Sequence, residues 1–164
     1  TGYNYRLPNI NAALGVAQMN RAQSIVTERS QLASRYDFEF AELQWLQTPA
    51  ILPNYVHGYQ SYPCLIEPDY IYGAINNANY QLINDVHRSR NAWMEELQQQ
   101  GISTRPATHA VHMLSYYRKK YKLSPEDFPA AYAANHCSIS FPLFHGMKPE
   151  EHQHVIDCVA SRNS

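Results

Sequence analysis

The first 46 residues carry a helical pattern of apolar positions. Apolar residues recur at spacings of three and four, which places them on one helix face: Ile10, Ala13, Leu14 and Ala17. Pro8 suits the first turn, because an N–H there has no partner inside the helix. The stripe is interrupted at Gln18 and Arg21 and then resumes as far as Leu46. The pattern predicts either one bent helix or two consecutive helices over residues 1–46.

Residues 47–164 alternate between strand and helix patterns. Strands are predicted at residues 59–67, 102–105 and 137–141, which are rich in aromatic and branched residues. Pro63 lies inside the first of them and predicts a sheet edge or a bulge, because proline has no N–H to donate. Residues 68–84 lack a clear period and are predicted to be a loop insertion.

Helices are predicted between and after these strands. Asp85 is expected to cap a helix that ends at Gly101, and 109–122 is expected to be a short helix or irregular. A further helix is predicted over 128–135, and the last one begins at Pro149. Its predicted buried face consists of His152, Val155, Ile156 and Val159. The fold class is therefore α/β: a small α+β sandwich whose helices cover one sheet face and which a long helix precedes.

The composition is typical of a globular protein. Of 164 residues, 45% are hydrophobic and 16% charged, and 13 basic against 14 acidic residues give a net charge of −1. This balance argues against nucleic acid as a partner, and no apolar run is long enough for a membrane span or signal peptide. Cys64, Cys137 and Cys158 are widely spaced without a CxxC motif, which predicts a reducing, cytoplasmic location.

The eight histidines do not form a recognisable metal motif. His109 and His112 are three residues apart, and His152 and His154 are two apart. Neither pair belongs to a CxxC or HExxH pattern, and His152 and His154 point to different sides of a helix. We expect no metal site.

The chain also lacks a pattern for nucleophilic catalysis. Cys137 follows His136 directly, but adjacent strand residues point to opposite faces, which denies the thiol a base. We expect no catalytic residue in this chain. The basic run 118–120 lies among tyrosines, and two interpretations stay open: a site for phosphates or stacked bases, or a solvated helix face.

Four motifs, in order, resemble those of the DegT/DnrJ/EryC1/StrS family of sugar aminotransferases. The first is GYNYRLPNINAALGVAQMNR at residues 2–21, similar to G-[YF]-N-Y-R followed by D-I-Q-A-A-L-G-x-x-Q-L. The others are QSYPCLI at 60–66, GISTR at 101–105 with HMLSYY at 112–117, and ISFPLFHGMKPEEHQHVIDCV at 139–159. Together they cover almost the whole chain.

The resemblance implies the fold type I architecture of pyridoxal-phosphate enzymes and a homodimer with shared active sites. The family usually transfers an amino group from glutamate to a keto sugar attached to a nucleotide. Its Schiff-base lysine belongs to a large domain that precedes the first motif, whereas this chain starts at Thr1. We therefore expect that the large domain is absent, that the chain alone is inactive, that 1–46 is an inter-domain helix or helix pair, and that 47–164 is the C-terminal small domain.

The resemblance also implies roles for four residues. Asn4 matches the asparagine that crosses to the neighbouring subunit and binds the cofactor phosphate. Arg6 matches the arginine that reaches the partner's site, where a guanidinium suits substrate anions. His112 and Tyr117 match the histidine and tyrosine near the substrate sugar, although Leu114-Ser115 replace the family's Gln-Pro and leave the substrate open.

Three interpretations of the sequence remain open. The chain is either part of an aminotransferase or a non-catalytic interaction module of the same fold that binds a partner through the apolar face of residues 10–43. A third possibility is a pyridoxal-phosphate sugar dehydratase of the same superfamily, which differs at the lysine position.

Overall fold

The structure is a computed structural model that describes residues 5–162, and it begins with two helices. Helix α1 spans Asn9–Met19 and α2 spans Ala22–Glu39, so of the two predicted arrangements the chain adopts the helix pair. The prediction that the helical segment ends near Leu46 was wrong, because α2 ends at Glu39. The apolar pattern continues past Glu39 because Phe40, which caps α2, is buried in the core from a turn rather than from a helix.

Three short antiparallel strands form the sheet, in the order β1-β2-β3. Their bounds are Leu46–Gln47, Tyr62–Ile66 and Ser138–Phe141. Leu46 pairs with Ile66, and Tyr62 pairs with Phe141. The second predicted strand, at 102–105, was wrong, because Arg105 makes only a single bridge, to Ser140.

Pro63 lies in the central strand, so the predicted sheet edge or bulge was wrong. Its partner across the sheet is Ser140. Ser140 donates its N–H to the Arg105 carbonyl at 2.7 Å and accepts from the Arg105 N–H at 3.3 Å. Both backbone groups of Ser140 thus point away from Pro63, and β1 ends its pairing at Leu65. The ladder therefore needs no N–H at Pro63.

Within residues 5–162, five further α-helices follow β2. They are α3 (Pro68–Asn76), α4 (Tyr80–Gln99), α5 (Ser115–Tyr121), α6 (Pro129–Cys137) and α7 (Pro149–Ala160). One-turn 3-10 helices cover Val111–Met113 and Pro125–Asp127.

The loop insertion predicted for 68–84 was wrong. Residues Pro68–Asn76 form helix α3, which buries only two of its residues, Ile71 and Ala74. Two buried positions are too few to show a helical period in the sequence. The cap predicted at Asp85 was also wrong. The N-cap of α4 is Asn79, whose side chain accepts the Leu82 N–H at 3.1 Å, so the helix begins more than one turn before Asp85.

The C-terminal part confirms the helical pattern. All four residues of the predicted face of α7 are buried. Gly101 has a φ of +82° directly after α4, the left-handed conformation that favours glycine at a helix end.

The core lies on one face of the sheet, where helices contribute aromatic rings. From α2, Tyr36 lies 5.0 Å from the Tyr62 ring and 4.1 Å from the His152 ring of α7. From α4, Trp93 lies 5.8 Å from the Phe141 ring. This arrangement confirms the predicted small α/β fold with helices on the sheet. The division between residues 46 and 47 stays a prediction.

Helix α1 is exposed along nearly its whole length, and of the other helices α5 likewise has no buried residue. Helix α1 has no buried residue anywhere between Asn9 and Met19, and its large apolar side chains, including Ile10 and Leu14, are exposed. Within residues 5–162, none of the helices combines the length and apolar character needed to cross a membrane.

Candidate functional site

His112 and Tyr117 lie in one cleft of about 420 Å³. The cleft is formed by the 3-10 helix at 111–113, by α5 and by the segment that leads into α6. We call it the aromatic cleft; its main lining residues are His109, His112, Tyr117, Tyr121, Leu123 and Phe128. Two of the residues that the resemblance assigns to the substrate are therefore brought together.

His112 is the most buried polar group of the cleft. Only 6% of its surface is exposed, and its ring lies 5.2 Å from the Phe128 ring. The preceding backbone is held in place by Ala110, whose N–H donates to the side-chain oxygen of Asn135 at 3.1 Å. Among residues 5–162, the His112 Nε2 atom has no hydrogen-bond partner. A buried ring nitrogen without a partner is unfavourable unless a ligand supplies one.

His112 interacts electrostatically with the carboxylate of Asp127. The pKa of Asp127 is lowered mainly by the N–H of Ser124, then by the Ser124 hydroxyl, and to a smaller extent by His112. Asp127 accepts from the Ser124 backbone at 2.7 Å. This carboxylate is therefore occupied in capping the second 3-10 helix.

Helix α5 supplies the second wall. Tyr117 and Tyr121 are one turn apart and share a helix face; their rings are parallel within 9°, with centroids 6.4 Å apart. Lys120 Nζ lies 5.3 Å from the centroids of both the Tyr116 and Tyr121 rings and donates to the Tyr116 hydroxyl at 3.2 Å. A positive charge therefore stands beside the aromatic wall.

The two other predicted site residues lie elsewhere in the chain. Arg6 is exposed in the segment that precedes α1 and does not line the aromatic cleft. Asn4 lies outside the described residues. Sequence reasoning missed Tyr121 and Phe128 as cleft residues. The helical spacing from Tyr117 was a signal for Tyr121, whereas Phe128 lies eleven residues further along the chain and had none.

A second cleft, of about 550 Å³, lies beside β3. Arg105 of the GISTR motif lines it together with Ser103, Ser140 and His154. His154 donates from Nε2 to the Gln100 carbonyl at 2.9 Å. The residues of this second cleft are more polar than those of the aromatic cleft, but none of its charged side chains is buried.

The remaining candidate groups do not converge. No set of three or more His, Cys, Asp or Glu within residues 5–162 is arranged to hold a metal ion. His152 is fully buried while His154 is exposed, as their two-residue spacing predicts. Burial raises the pKa of the Cys137 thiol to about 12, so Cys137 is not a thiolate nucleophile at neutral pH.

The described residues do not by themselves form a site for the pyridoxal phosphate that the resemblance implies. Such a site needs a lysine for the covalent link and donors for the phosphate. The four lysines of the chain are all exposed, and none of them lines either cleft.

Comparison with known proteins agrees with the motifs. The chain is 30% identical over 158 residues to the uncharacterized protein MJ1066 of Methanocaldococcus jannaschii, covering 96% of this chain and 36% of that protein. Among solved structures, DesV of S. venezuelae has a TM-score of 0.76 at 22% identity, with 100% of this chain and 39% of DesV covered.

Spr1654 of Streptococcus pneumoniae, solved in a PLP form and a PMP form, has a TM-score of 0.75 at 23% identity, with 93% of this chain and 34% of Spr1654 covered. These structural likenesses establish the fold, and the chain spans little more than a third of the length of the proteins it matches. The model of the DegT/DnrJ/EryC1/StrS aminotransferase family, whose cofactor is pyridoxal phosphate, matches residues 1–160. The chain belongs to the DegT/DnrJ/EryC1/StrS aminotransferase family.

Proposed function

We propose that this chain is the smaller-domain part of a pyridoxal-phosphate-dependent aminotransferase that acts on a keto sugar attached to a nucleotide, with glutamate or a similar amino donor. The family match over residues 1–160 supports the reaction class. The observation that carries the substrate assignment is the meeting of His112 and Tyr117 in the aromatic cleft. The lysine for the cofactor belongs to the part of the protein outside this chain.

His112 and Tyr117 bind and orient the sugar. The Nε2 atom of His112 is the natural partner for a sugar hydroxyl or carbonyl, because the described residues leave it unbonded. A buried polar atom without a partner costs about 1–3 kcal/mol, which a hydrogen bond from the substrate would recover. Tyr117 is 40% exposed, so its side chain is accessible to a ligand in the cleft.

Asn4 and Arg6 act in the active site of a second copy. We propose a homodimer in which the segment before α1 crosses to the partner subunit, where Asn4 binds the cofactor phosphate and Arg6 binds a substrate anion. The exposure of Arg6 supports this role, because an exposed arginine is accessible to a partner subunit. Three unpaired cysteines support a reducing, cytoplasmic location.

The experiment uses the full-length protein that contains this chain. It is supplied with pyridoxal phosphate, glutamate and a panel of nucleotide-linked keto sugars, and 2-oxoglutarate and the aminated sugar are measured by mass spectrometry. We expect amination of at least one sugar, and a loss of kcat/KM of about tenfold or more for His112→Ala. Arg6→Ala should reduce activity without changing the dimer. Tyr55→Phe, at an exposed tyrosine outside the cleft, is the matched control.

Two outcomes would contradict this function. Loss of water from the sugar without amino transfer would identify a dehydratase. Unreacted sugars together with a stable complex between the protein and another polypeptide would favour the interaction module, for which the exposed apolar side chains of α1, from Ile10 to Met19, are the supporting observation.

A further inference from the structure

Helix α1 is joined to α2 through a two-residue turn, Asn20 and Arg21. Because α1 has no buried residue between positions 9 and 19, packing against the rest of the described chain does not fix its direction. Arg21 has a φ of −107°, whereas helical residues have a φ of about −63°. The chain therefore changes direction at Arg21, and the backbone angles of this residue set the angle between the two helices.

A turn after β3 lies beside this joint. It runs from Phe144 to Met147, and the Met147 N–H donates to the Phe144 carbonyl at 3.3 Å. The residues on either side of its exposed part, Leu143 and Met147, are buried in the core. The side chain of His145 thus extends from a short exposed segment whose two ends are anchored.

Hydrogen bonds connect the joint with this turn. Arginine has only donors, so Nη2 of Arg21 donates to Nε2 of His145 at 3.0 Å. On the other side of the ring, Nδ1 of His145 donates to the carboxylate of Glu28. The Gly146 N–H also donates to Glu28, at 2.6 Å, and is the main cause of the lowered pKa of this carboxyl. The neutral imidazole of His145 therefore accepts from one neighbour and donates to the other.

The three side chains join two distant parts of the chain, and we call Arg21, His145 and Glu28 the joint link. Glu28 lies seven residues after Arg21, which is two turns along the same side of α2. His145 is 124 residues away from Arg21 in sequence. The link holds the first two turns of α2, including the residue at which α1 ends, against the anchored turn.

The direction of α1 matters for Arg6, which lies three residues before this helix. The eleven residues of α1 span about 16 Å, so a rotation of about 10° at Arg21 moves the start of α1 by about 3 Å. A displacement of about 1 Å in a group that positions the substrate is enough to lower the rate of a reaction strongly.

We propose that the joint link sets the direction of α1 and thereby positions Arg6 in the active site of the partner subunit. His145 is then a positioning residue for the substrate anion that Arg6 binds. The proposal rests on the proposed function for the role of Arg6, whereas the effect of the link on α1 does not depend on the reaction.

The kinetic test uses the full-length protein with excess pyridoxal phosphate and a nucleotide-linked keto sugar that it aminates. His145→Ala should raise the KM for the sugar and leave kcat nearly unchanged, because it displaces a binding group and not the reacting atoms. We expect a rise of about fivefold, a part of the tenfold or greater effect of losing a hydrogen bond to a charged group. His145→Gln keeps a donor and an acceptor and should restore most of the affinity.

A double-mutant cycle tests whether His145 acts through Arg6. In a protein that carries Arg6→Ala, the further change His145→Ala should add little to the KM, because two residues that act through one interaction are not additive. Arg88→Ala is the control, since it removes an exposed ion pair outside the joint link and should leave the KM unchanged. The side chain of His145 is 38% exposed, so its variants are expected to fold, which circular dichroism verifies.

Hydrogen–deuterium exchange tests the link without the reaction. Peptides that cover residues 16–24 should exchange faster in His145→Ala than in the unchanged protein or in His145→Gln, because the joint opens more often when the link is lost.

Three results would overturn the proposal. They are an unchanged KM in His145→Ala, the same fold-change from His145→Ala with and without Arg6, and unchanged exchange of residues 16–24. Failure of the proposed function gives a different result. Faster exchange in His145→Ala without amino transfer to any sugar overturns the proposed function and the role of Arg6 but not the link, whereas amino transfer with unchanged exchange overturns the link alone.

Discussion

The guanidinium carbon of Arg162 lies 4.4 Å from the ring centroid of Trp45. It also lies 4.6 Å from the Trp93 ring, and the two tryptophan rings are 5.3 Å apart and nearly perpendicular. Arg162 also pairs with Glu67, whose Oε1 lies 3.8 Å from the Arg162 Nη2. The contact connects the end of α7 with α4 and with the turn before β1, which are far apart in sequence.

This contact predicts that Arg162→Ala lowers the free energy of unfolding by about 1–2 kcal/mol, since a largely desolvated cation over aromatic rings contributes about that much. Urea unfolding followed by tryptophan fluorescence measures it, because both tryptophans of the chain are at the site. Arg88→Ala is the control: its side chain is 66% exposed and pairs with Asp85 on the surface, so about 0.5 kcal/mol or less is expected. Equal effects of the two variants would contradict the prediction.

His152 predicts a loss of stability in acid. Burial, and then the charge of Arg35, lower its pKa to about 4, while the Leu32 carbonyl opposes the shift. The unfolded chain binds this proton near pH 6.5 and the folded chain near pH 4, so the stabilisation is complete above pH 6.5 and is lost as the pH falls toward 4. The loss amounts to about 3 kcal/mol at the acid end.

His152→Phe should therefore flatten the pH dependence of the free energy of unfolding between pH 6.5 and 4, as measured by urea unfolding at a series of pH values. A remaining slope is expected from His136, whose pKa burial also lowers. His154→Phe, on the exposed side of the same helix, is the variant with which the slope of His152→Phe is compared. A slope that is identical in His152→Phe and the unchanged chain would show the prediction to be wrong.

Two glycines predict opposite effects of the same substitution. A Cβ added at Gly101 or at Gly73 meets nothing within 4 Å, so only the backbone conformation differs. Gly101 has a φ of +82°, and Gly101→Ala should cost about 1–2 kcal/mol. Gly73 lies inside α3, and Gly73→Ala should stabilise by about 0.5–1 kcal/mol. Urea midpoints that move in the same direction for both variants would refute this account.

The buried Tyr62 donates a hydrogen bond from its hydroxyl to the Asp37 carboxylate. Burial is the larger cause and this hydrogen bond the second cause of the raised pKa of Tyr62. Tyr62→Phe should cost about 1.5–3 kcal/mol, the range for a hydrogen bond to a charged group. Tyr72→Phe is the control, because the Tyr72 hydroxyl makes an exposed hydrogen bond, to Gln47 at 2.7 Å, and its loss should change the unfolding free energy little. Comparable urea midpoints for the two variants would count against the prediction.

Much of the fold could be predicted from local patterns. The face of α7 and the helix end at Gly101 follow from spacing and backbone preference within a few residues, which any structure containing these segments must satisfy. The hydrophobic pattern failed where a segment was too short to show a period, as in α3. It also failed where contacts with a segment distant in sequence determined the local structure. Pro63 is compatible with a central strand only because Ser140 turns both its backbone groups to Arg105.

The candidate site could likewise be predicted only in part from the sequence. The sequence alone determined the family motifs and the residue types at His112 and Tyr117, because these are properties of single positions and their order. Only the tertiary structure decided that Phe128 packs against His112 and closes the aromatic cleft, and that Arg6 lies apart from it. The reason is physical: contacts between distant segments depend on how all the elements pack on the sheet, which no local pattern records.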